Sequence, residues 1–429
     1  MKLAVIGAGS TYSPEIFDGL IRRKKSLPFD EVVLMDIDAR KLGIVGSFIQ
    51  RMLETAGLGH IHCSQTDNLD EALRGADYVI AQIRVGQLPA RIKDERIPLK
   101  YGLIGQETTG IGGFFNGLRT VPEILKVAKR MEVLCPDAWL INFSNPSGIV
   151  AQAVLEQSSI KMVGLCNCPI NTLTDCRNWL NDPEATMEYI GLNHLSWVTK
   201  VMSHGEDKLA QLLRQGAMET AKNIPDVEFD LEMLQVAGGI PSSYLNYFYL
   251  RNKQLAHLQS AELCRGEECV QIEKELLELY QQPTLTHKPE QLSKRGGALY
   301  SEAAVSLIDC LHNDRGETHV VDIRNEGAIP FLEDDDVVEI SAAVRRSGIT
   351  PQPITVMPNR QIVAMIQTVK AYERLTVEAA LTGDRTTALR ALMVHPLVGD
   401  FDAAKNCFDE MLEAHREYLP RFFGKGDNA

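Results

Sequence analysis

Five short apolar runs, most followed by a turn and an amphipathic stretch, occupy the first 170 residues and constrain the fold more than any other feature. They are Lys2–Ile6, Glu31–Asp36, Tyr78–Ile83, Trp139–Phe143 and Met162–Cys166, with helical patterns such as Glu15–Lys25 and Pro122–Leu134 between them. Alternation of this kind builds βαβ units, whose strands run parallel and are covered by helices. Ser13 is placed to cap the first helix, Pro14 suits its first turn, and Ile16, Leu20 and Ile21 form its apolar face. Past about residue 170 the rhythm changes. Met187–Val201 reads as extended, Glu262–Tyr280 and Ile362–Leu381 as long helices, and His319–Val321 and Val337–Ser341 as strands. The expected fold class is α/β, with a parallel sheet over residues 1–170 and a mixed α/β domain over 171–429. No repeat or long Pro/Ser linker separates the two, so a cleft between packed domains is expected.

The 429-residue length suits two or three domains. Lys and Arg number 44 against 57 Asp and Glu, a net charge of −13. That balance argues against nonspecific binding to nucleic acid or to an anionic membrane, while leaving room for a local basic pocket. No apolar run approaches the about 18 residues of a transmembrane helix, and the apolar start MKLAVIGAGS is too short for a signal peptide. Nine cysteines, an odd count without a secreted spacing pattern, read as reduced thiols of a cytoplasmic protein.

The first strand ends in Gly7-Ala8-Gly9-Ser10-Thr11-Tyr12. Gly7 allows a tight turn, Gly9 lets backbone approach a pyrophosphate, and the following helix N-terminus favours its negative charge. Tyr12 stands where a third glycine is usual, but the preceding strand and following helix give the motif its context. The N-terminal sheet is therefore read as Rossmann-like. Asp36, at the end of the next strand, can bind both ribose hydroxyls and so favours NAD over NADP. The candidate nucleotide-binding residues are Gly7, Gly9, Ser10, Thr11, Asp36 and Arg84; a bare turn with no nucleotide is the alternative.

In an open parallel sheet, ligands sit outside the carboxyl ends of the strands. Gln82-Ile83-Arg84-Val85-Gly86, Asn142-Phe143-Ser144-Asn145-Pro146 and Cys166-Asn167-Cys168-Pro169 all follow strands and would converge there. Cys166 and Cys168 form C-x-C rather than the C-x-x-C of zinc ribbons. Cys166 and His194 alone make an incomplete metal cage, which becomes sensible if substrate oxygens supply further ligands; a buried cysteine and a core histidine are the plain alternative. Arg84, Arg91 and Arg96 lie among Asp94 and Glu95, suiting either ion pairing or phosphate recognition. Gly110, Gly112 and Gly113 read as a loop without a P-loop ending. The segment Pro241–Tyr249 is aromatic-rich, as packing clusters are, although a tyrosine in a cleft beside positive charge can serve as a base.

Together these segments resemble glycoside hydrolase family 4, the NAD-dependent exception among glycosidases. The likeness extends through Gly105-Gln106-Glu107-Thr108, Lys294-Arg295-Gly296-Gly297-Ala298-Leu299-Tyr300, Asn325-Glu326-Gly327-Ala328-Ile329 and His395-Pro396-Leu397-Val398. Cys166-Asn167-Cys168-Pro169 is similar to the Cys-Asn-x-Pro pattern of the family's phospho-β-glucosidases, which implies hydrolysis of 6-phospho-β-glucosides such as cellobiose 6-phosphate. Another specificity within the family is the alternative.

The resemblance implies Cys166 and His194 as ligands of a divalent metal, usually Mn2+ in this family, and Arg91 and Asn145 as substrate-binding residues, with Arg91 near the 6-phosphate. It implies Tyr244 as catalytic base, with Tyr247 as the fallback within the same cluster. Asn167 occupies the position of a proposed acid in α-type members, although an amide cannot donate a proton as an acid does. The implied chemistry is transient oxidation at C3, deprotonation at C2, elimination of the aglycone, addition of water and reduction back at C3. Two departures stand out: Gln87 replaces a second glycine after Arg84-Val85-Gly86, and Cys168 replaces an aliphatic residue. A homodimer or homotetramer is also implied. Outside the family, an NAD-dependent hydroxy-acid dehydrogenase fits the N-terminal half alone, and a non-catalytic NAD sensor is the other rival.

Overall fold

The computed structural model describes residues 1–216, 229–295 and 300–424, for 300–302 the backbone alone. The first 170 residues supply strands β1 (Lys2–Ile6), β2 (Glu31–Met35), β3 (His62–Thr66), β4 (Tyr78–Ala81), β5 (Trp139–Asn142) and β6 (Lys161–Gly164). They pair in parallel in the order β3-β2-β1-β4-β5-β6. Five match the apolar runs within a few residues. The sixth, β3, was not expected because His62-Cys63-Ser64-Gln65-Thr66 carries no apolar run; it is the edge strand, and its side chains are only partly buried or exposed.

The region read as extended, 187–201, is a hairpin of β7 (Thr186–Leu192) and β8 (Leu195–Ser203). With the short β9 (Glu206–Asp207) and β10 (Ile240–Pro241) it forms a four-stranded antiparallel sheet. Further on, β11 (Thr318–Arg324), β12 (Val337–Arg345) and β13 (Gly348–Pro351) join the first sheet beside β6. That nine-stranded sheet thus takes strands from both sides of residue 170. The Asp322↔Gly164 pairing, where β11 meets β6, brings the late strands directly beneath the cysteine segment.

Three local expectations need correction. Ser13 is not the cap of the first helix but its first residue; the cap is Tyr12, and the Ser13 hydroxyl donates instead to the Ala8 carbonyl (2.7 Å). The helix expected over 122–134 begins at Gly110, so Gly110, Gly112 and Gly113 form its first turn and not a loop. Glycine is required there by packing: a Cβ at Gly112 would lie 2.3 Å from the Gln106 carbonyl oxygen, and one at Gly113 would lie 2.4 Å from the Thr108 backbone. A run of glycines therefore marks close helix packing as readily as a loop.

The same helix is tied to its neighbour by a fully buried ion pair. Arg119 donates to both oxygens of Asp94, at 3.0 and 2.6 Å, and so fixes the helix Gln87–Arg96 that carries Arg91. His395 holds the helix start from the other side. Its Nδ1 accepts from the Leu397 N–H (3.1 Å), and its Nε2 lies 3.2 Å from the Gly110 nitrogen. Burial lowers the His395 pKa from its ordinary 6.5 to about 3. Between those values the unfolded chain takes up a proton that the folded chain refuses, so this contribution is complete above pH 6.5 and is lost as pH falls. Stability should decline by up to about 1.4 kcal/mol per pH unit on that limb from this group alone. Urea unfolding at stepped pH should show a shallower acid limb for His395→Gln; identical slopes would remove His395 as the cause.

Among the described residues, no helix is long and apolar enough to cross a membrane. All nine cysteines are free thiols.

Candidate active site

The carboxyl ends of β1, β2, β4, β5 and β6 and the β7–β8 turn surround one cavity of about 810 Å³. At its nucleotide-like end Gly7 adopts φ +85, and a Cβ there would lie 2.8 Å from the Gln82 carbonyl oxygen. A Cβ on Gly9 would strike the Asp36 carboxylate at 2.9 Å. Instead the Gly9 N–H donates to Asp36 Oδ2 (2.8 Å) and the Asp38 N–H to Oδ1 (2.9 Å), which fixes the carboxylate at the wall. Ser10 lines the same end. Thr11 does not: it is fully buried, its hydroxyl accepts from Arg295, and its carbonyl accepts from Tyr280 (2.8 Å). This end fits a dinucleotide, because the bare glycine backbone leaves room for phosphates and the fixed carboxylate suits vicinal hydroxyls.

The middle of the cavity is cationic but internally balanced. Glu107 spans Arg84 and Arg91, lying 2.9 Å from Arg91 Nη1, while Arg91 Nε donates to Glu95 (2.7 Å). Burial works against the Glu107 charge, but the two arginines outweigh it and hold the carboxyl below its usual range. Arg91 is thus rigidly aimed and already partnered. The sequence reading assigned no role to Glu107; its signal was a lone acid in a segment otherwise rich in glycine and threonine, Gly105-Gln106-Glu107-Thr108-Thr109-Gly110. Arg96 points elsewhere, pairing with Glu267.

At the far end, Cys166 Sγ lies 3.6 Å from His194 Nε2 although 28 residues separate them. His194 sits in the two-residue turn between β7 and β8 at φ +66, a left-handed conformation uncommon for a side-chain-bearing residue. Two donors keep about that separation when they share one ion at metal–ligand distances of about 2.0–2.3 Å. The Cys168 thiol, hydrogen-bonded to Cys166, and the neighbouring His194 hold the Cys166 thiol well below its ordinary pKa against the opposing effect of burial. The donor set therefore fits a divalent metal. The departure at Cys168 has a physical consequence: it supplies the thiol that bonds to Cys166.

Tyr244 lines this end, with its ring stacked on His194 at a centroid distance of 3.7 Å and 17° between planes. Tyr247 lies behind it, 6.5 Å from Tyr244 between ring centres, and burial pushes its phenol well above the ordinary value. Asn145 and Asn167 both line the cavity. Gln87, the other departure, sits at φ +52, where glycine would be relaxed, and its amide oxygen accepts from Lys41 (3.0 Å). Of the Lys294–Tyr300 motif, Arg295 reaches the cavity, whereas residues 296–299 lie outside the described residues.

Beneath the thiol–imidazole pair lies a set of acids the sequence reading missed. Asp322 and Glu339 face each other across β11 and β12. Ser147 donates to Asp322 (2.5 Å), and Asn193 and Ser196 donate to Glu339 (both 3.1 Å). Burial raises both carboxyls, Asp322 to about 7. The available signal was a lone acid within an apolar strand, Val321-Asp322-Ile323 and Val338-Glu339-Ile340.

Comparison with known proteins identifies the family. Residues 2–181 match the model of the family 4 glycosyl hydrolases, and residues 189–398 match that family's C-terminal domain. A Bacillus subtilis protein named "Probable 6-phospho-beta-glucosidase" is 44% identical, covering 99% of this chain and 98% of its own. The 6-phospho-beta glucosidase from Thermotoga maritima, solved with manganese, NAD+ and glucose-6-phosphate, superposes with a TM-score of 0.88 at 37% identity, over 97% of this chain and 99% of its own. A phospho-alpha-glucosidase of Clostridium acetobutylicum is more distant, 29% identical over 97% of this chain and 98% of its own. The chain belongs to family 4 of the glycosyl hydrolases.

Proposed function

We propose that this enzyme hydrolyses 6-phospho-β-glucosides, with cellobiose 6-phosphate a representative substrate. The observation that carries the reading is the convergence on one cavity of a fixed Asp36 beside a bare glycine turn with His194 and its stacked Tyr244, the Cys166 thiol lying 3.6 Å from His194 Nε2. The β-phosphoglucoside specificity is supported by the 44% relative's name and the greater distance of the α-type relative. When bound, NAD+ supplies a hydride acceptor for sugar C3, and a divalent metal, Mn2+ by likeness to the Thermotoga enzyme, supplies Lewis acidity at the C2 and C3 oxygens.

This chain's own residues do the rest. Cys166 and His194 hold the metal, and Gly7, Gly9, Ser10, Asp36 and Arg84 the dinucleotide. Tyr244 takes the proton from C2, and the C1–aglycone bond breaks as that electron pair moves in. Water then adds at C1, a proton returns to C2, and the hydride taken up at the start would return to C3, so no net redox change results. Arg91, held by Glu95 and Glu107, faces the 6-phosphate, and Asn145 orients the sugar. Asn167 contributes hydrogen bonds, not a proton, because an amide is no general acid. The nine free thiols support a reducing cytoplasmic setting, and a homodimer or homotetramer is the expected assembly.

Asp36→Ala should weaken NAD+ binding about 10–100-fold, as loss of hydrogen bonds to a charged group does, and should narrow the preference over NADP+. Fluorescence titration of both nucleotides checks it. The substrate assignment is tested with p-nitrophenyl β-glucoside 6-phosphate, its α-linked isomer and the unphosphorylated β-glucoside, each with NAD+, Mn2+ and reductant. Release from the β-phosphate alone, dependent on both additions, is expected. Release from another isomer would move the substrate, and NADH accumulation from a hydroxy acid would favour a dehydrogenase.

A further inference from the structure

Away from this cavity, a second group of soft donors converges where the helix Tyr300–Asn313 turns into β11. Cys310 Sγ lies 3.2 Å from His319 Nε2 and 3.4 Å from Glu317 Oε2, and the last two atoms are 4.0 Å apart. We propose that Cys310, Glu317 and His319 form a second metal site, which takes a thiophilic divalent cation, Zn2+, and clamps the helix end to the strand.

Geometry favours it. Thiolate, imidazole and carboxylate around one tetrahedral zinc lie about 3.3–3.6 Å from one another, given bonds of about 2.0–2.3 Å. The Cys310–Glu317 separation matches, the Cys310–His319 separation of 3.2 Å falls just short of that range, and the 4.0 Å between His319 and Glu317 closes by rotation of Glu317, whose side chain is 53% exposed. Glu317 and His319 are two residues apart along an extended segment, so both face the helix that carries Cys310. The backbone between them is held. The Val344 N–H donates to the Glu317 carbonyl (2.9 Å), and Arg346 donates to the His312 carbonyl at the helix end (2.6 Å). The chain reverses through Asp314 and Gly316, both at positive φ.

Nearby Arg315 is paired with Asp309 (2.8 Å). Binding of a cation at Cys310 releases the thiol proton, so uptake is accompanied by acid release. The thiolate, imidazole and carboxylate donor set is one that Zn2+ takes.

The test is zinc content of the full chain after dialysis against buffered micromolar Zn2+, for wild type, C166S, C310S, H319Q and C166S/C310S. C310S and H319Q should each hold about one equivalent less than wild type. C166S, which lacks the thiol of the catalytic cavity, should keep this site and, with Co2+ as probe, still show thiolate-to-cobalt absorption that C166S/C310S lacks. Should C310S disturb the core, H319Q changes a residue at the edge of the site and carries the comparison. The proposal is overturned if C310S and H319Q bind as much zinc as wild type, or if C166S shows no thiolate–cobalt absorption.

Discussion

Tyr244→Phe is expected to lower kcat on a 6-phospho-β-glucoside by about 10²–10⁴-fold, the usual worth of a positioned general base. Phenylalanine keeps the ring stacked on His194 and removes only the phenolic oxygen, so the fold and NAD+ affinity should be unchanged. Tyr247→Phe should cost severalfold at most. Its hydroxyl lies in a buried setting that disfavours the phenolate, with Glu95 and Glu107 adding to that effect, so it stays protonated. Steady-state rates of the two variants, with NAD+ affinity as the control, separate them. A large loss in Tyr247→Phe with near-normal Tyr244→Phe would exchange the roles.

Cys166→Ser should be comparably damaging for a different reason. A serine hydroxyl at that position cannot supply the thiolate that His194 and Cys168 favour, so metal affinity and rate should both fall by at least about 10²-fold. NAD+ binding should persist, because Gly7, Gly9 and Asp36 lie at the other end of the cavity. Mn2+ titration of activity and direct nucleotide binding measure the two effects separately. Retention of full Mn2+-dependent activity in Cys166→Ser would remove the thiol from the metal site. The same thiolate character predicts inactivation by peroxide, slowed when metal and substrate are present.

Much of the fold and of the cavity is legible in the sequence. Apolar runs gave away five of the six parallel strands, because a buried parallel strand must be apolar along its length. The strand ends located the cavity, since Gly9, Asp36, Asn145 and Asn167, which line it, each follow a strand. What escaped notice depends on packing between distant segments. The edge strand β3 has no apolar signal, and the helix start at Gly110 was hidden by glycines that exist for close approach. That β11 to β13 complete the first sheet cannot be read from local pattern, and with them come Asp322 and Glu339. Thr11 shows the converse error: proximity to Gly9 in sequence suggested a ligand contact, while Arg295 and Tyr280 turn it inward.

The central claim is that the glycosidic bond breaks by removal of the C2 proton rather than by direct displacement at C1. Turnover of p-nitrophenyl β-glucoside 6-phosphate in D2O, with NAD+ and Mn2+, tests it most directly. The account predicts glucose 6-phosphate carrying deuterium at C2, with neither release nor exchange when NAD+ is omitted. Product with only hydrogen at C2, formed at the same rate without NAD+, would contradict it.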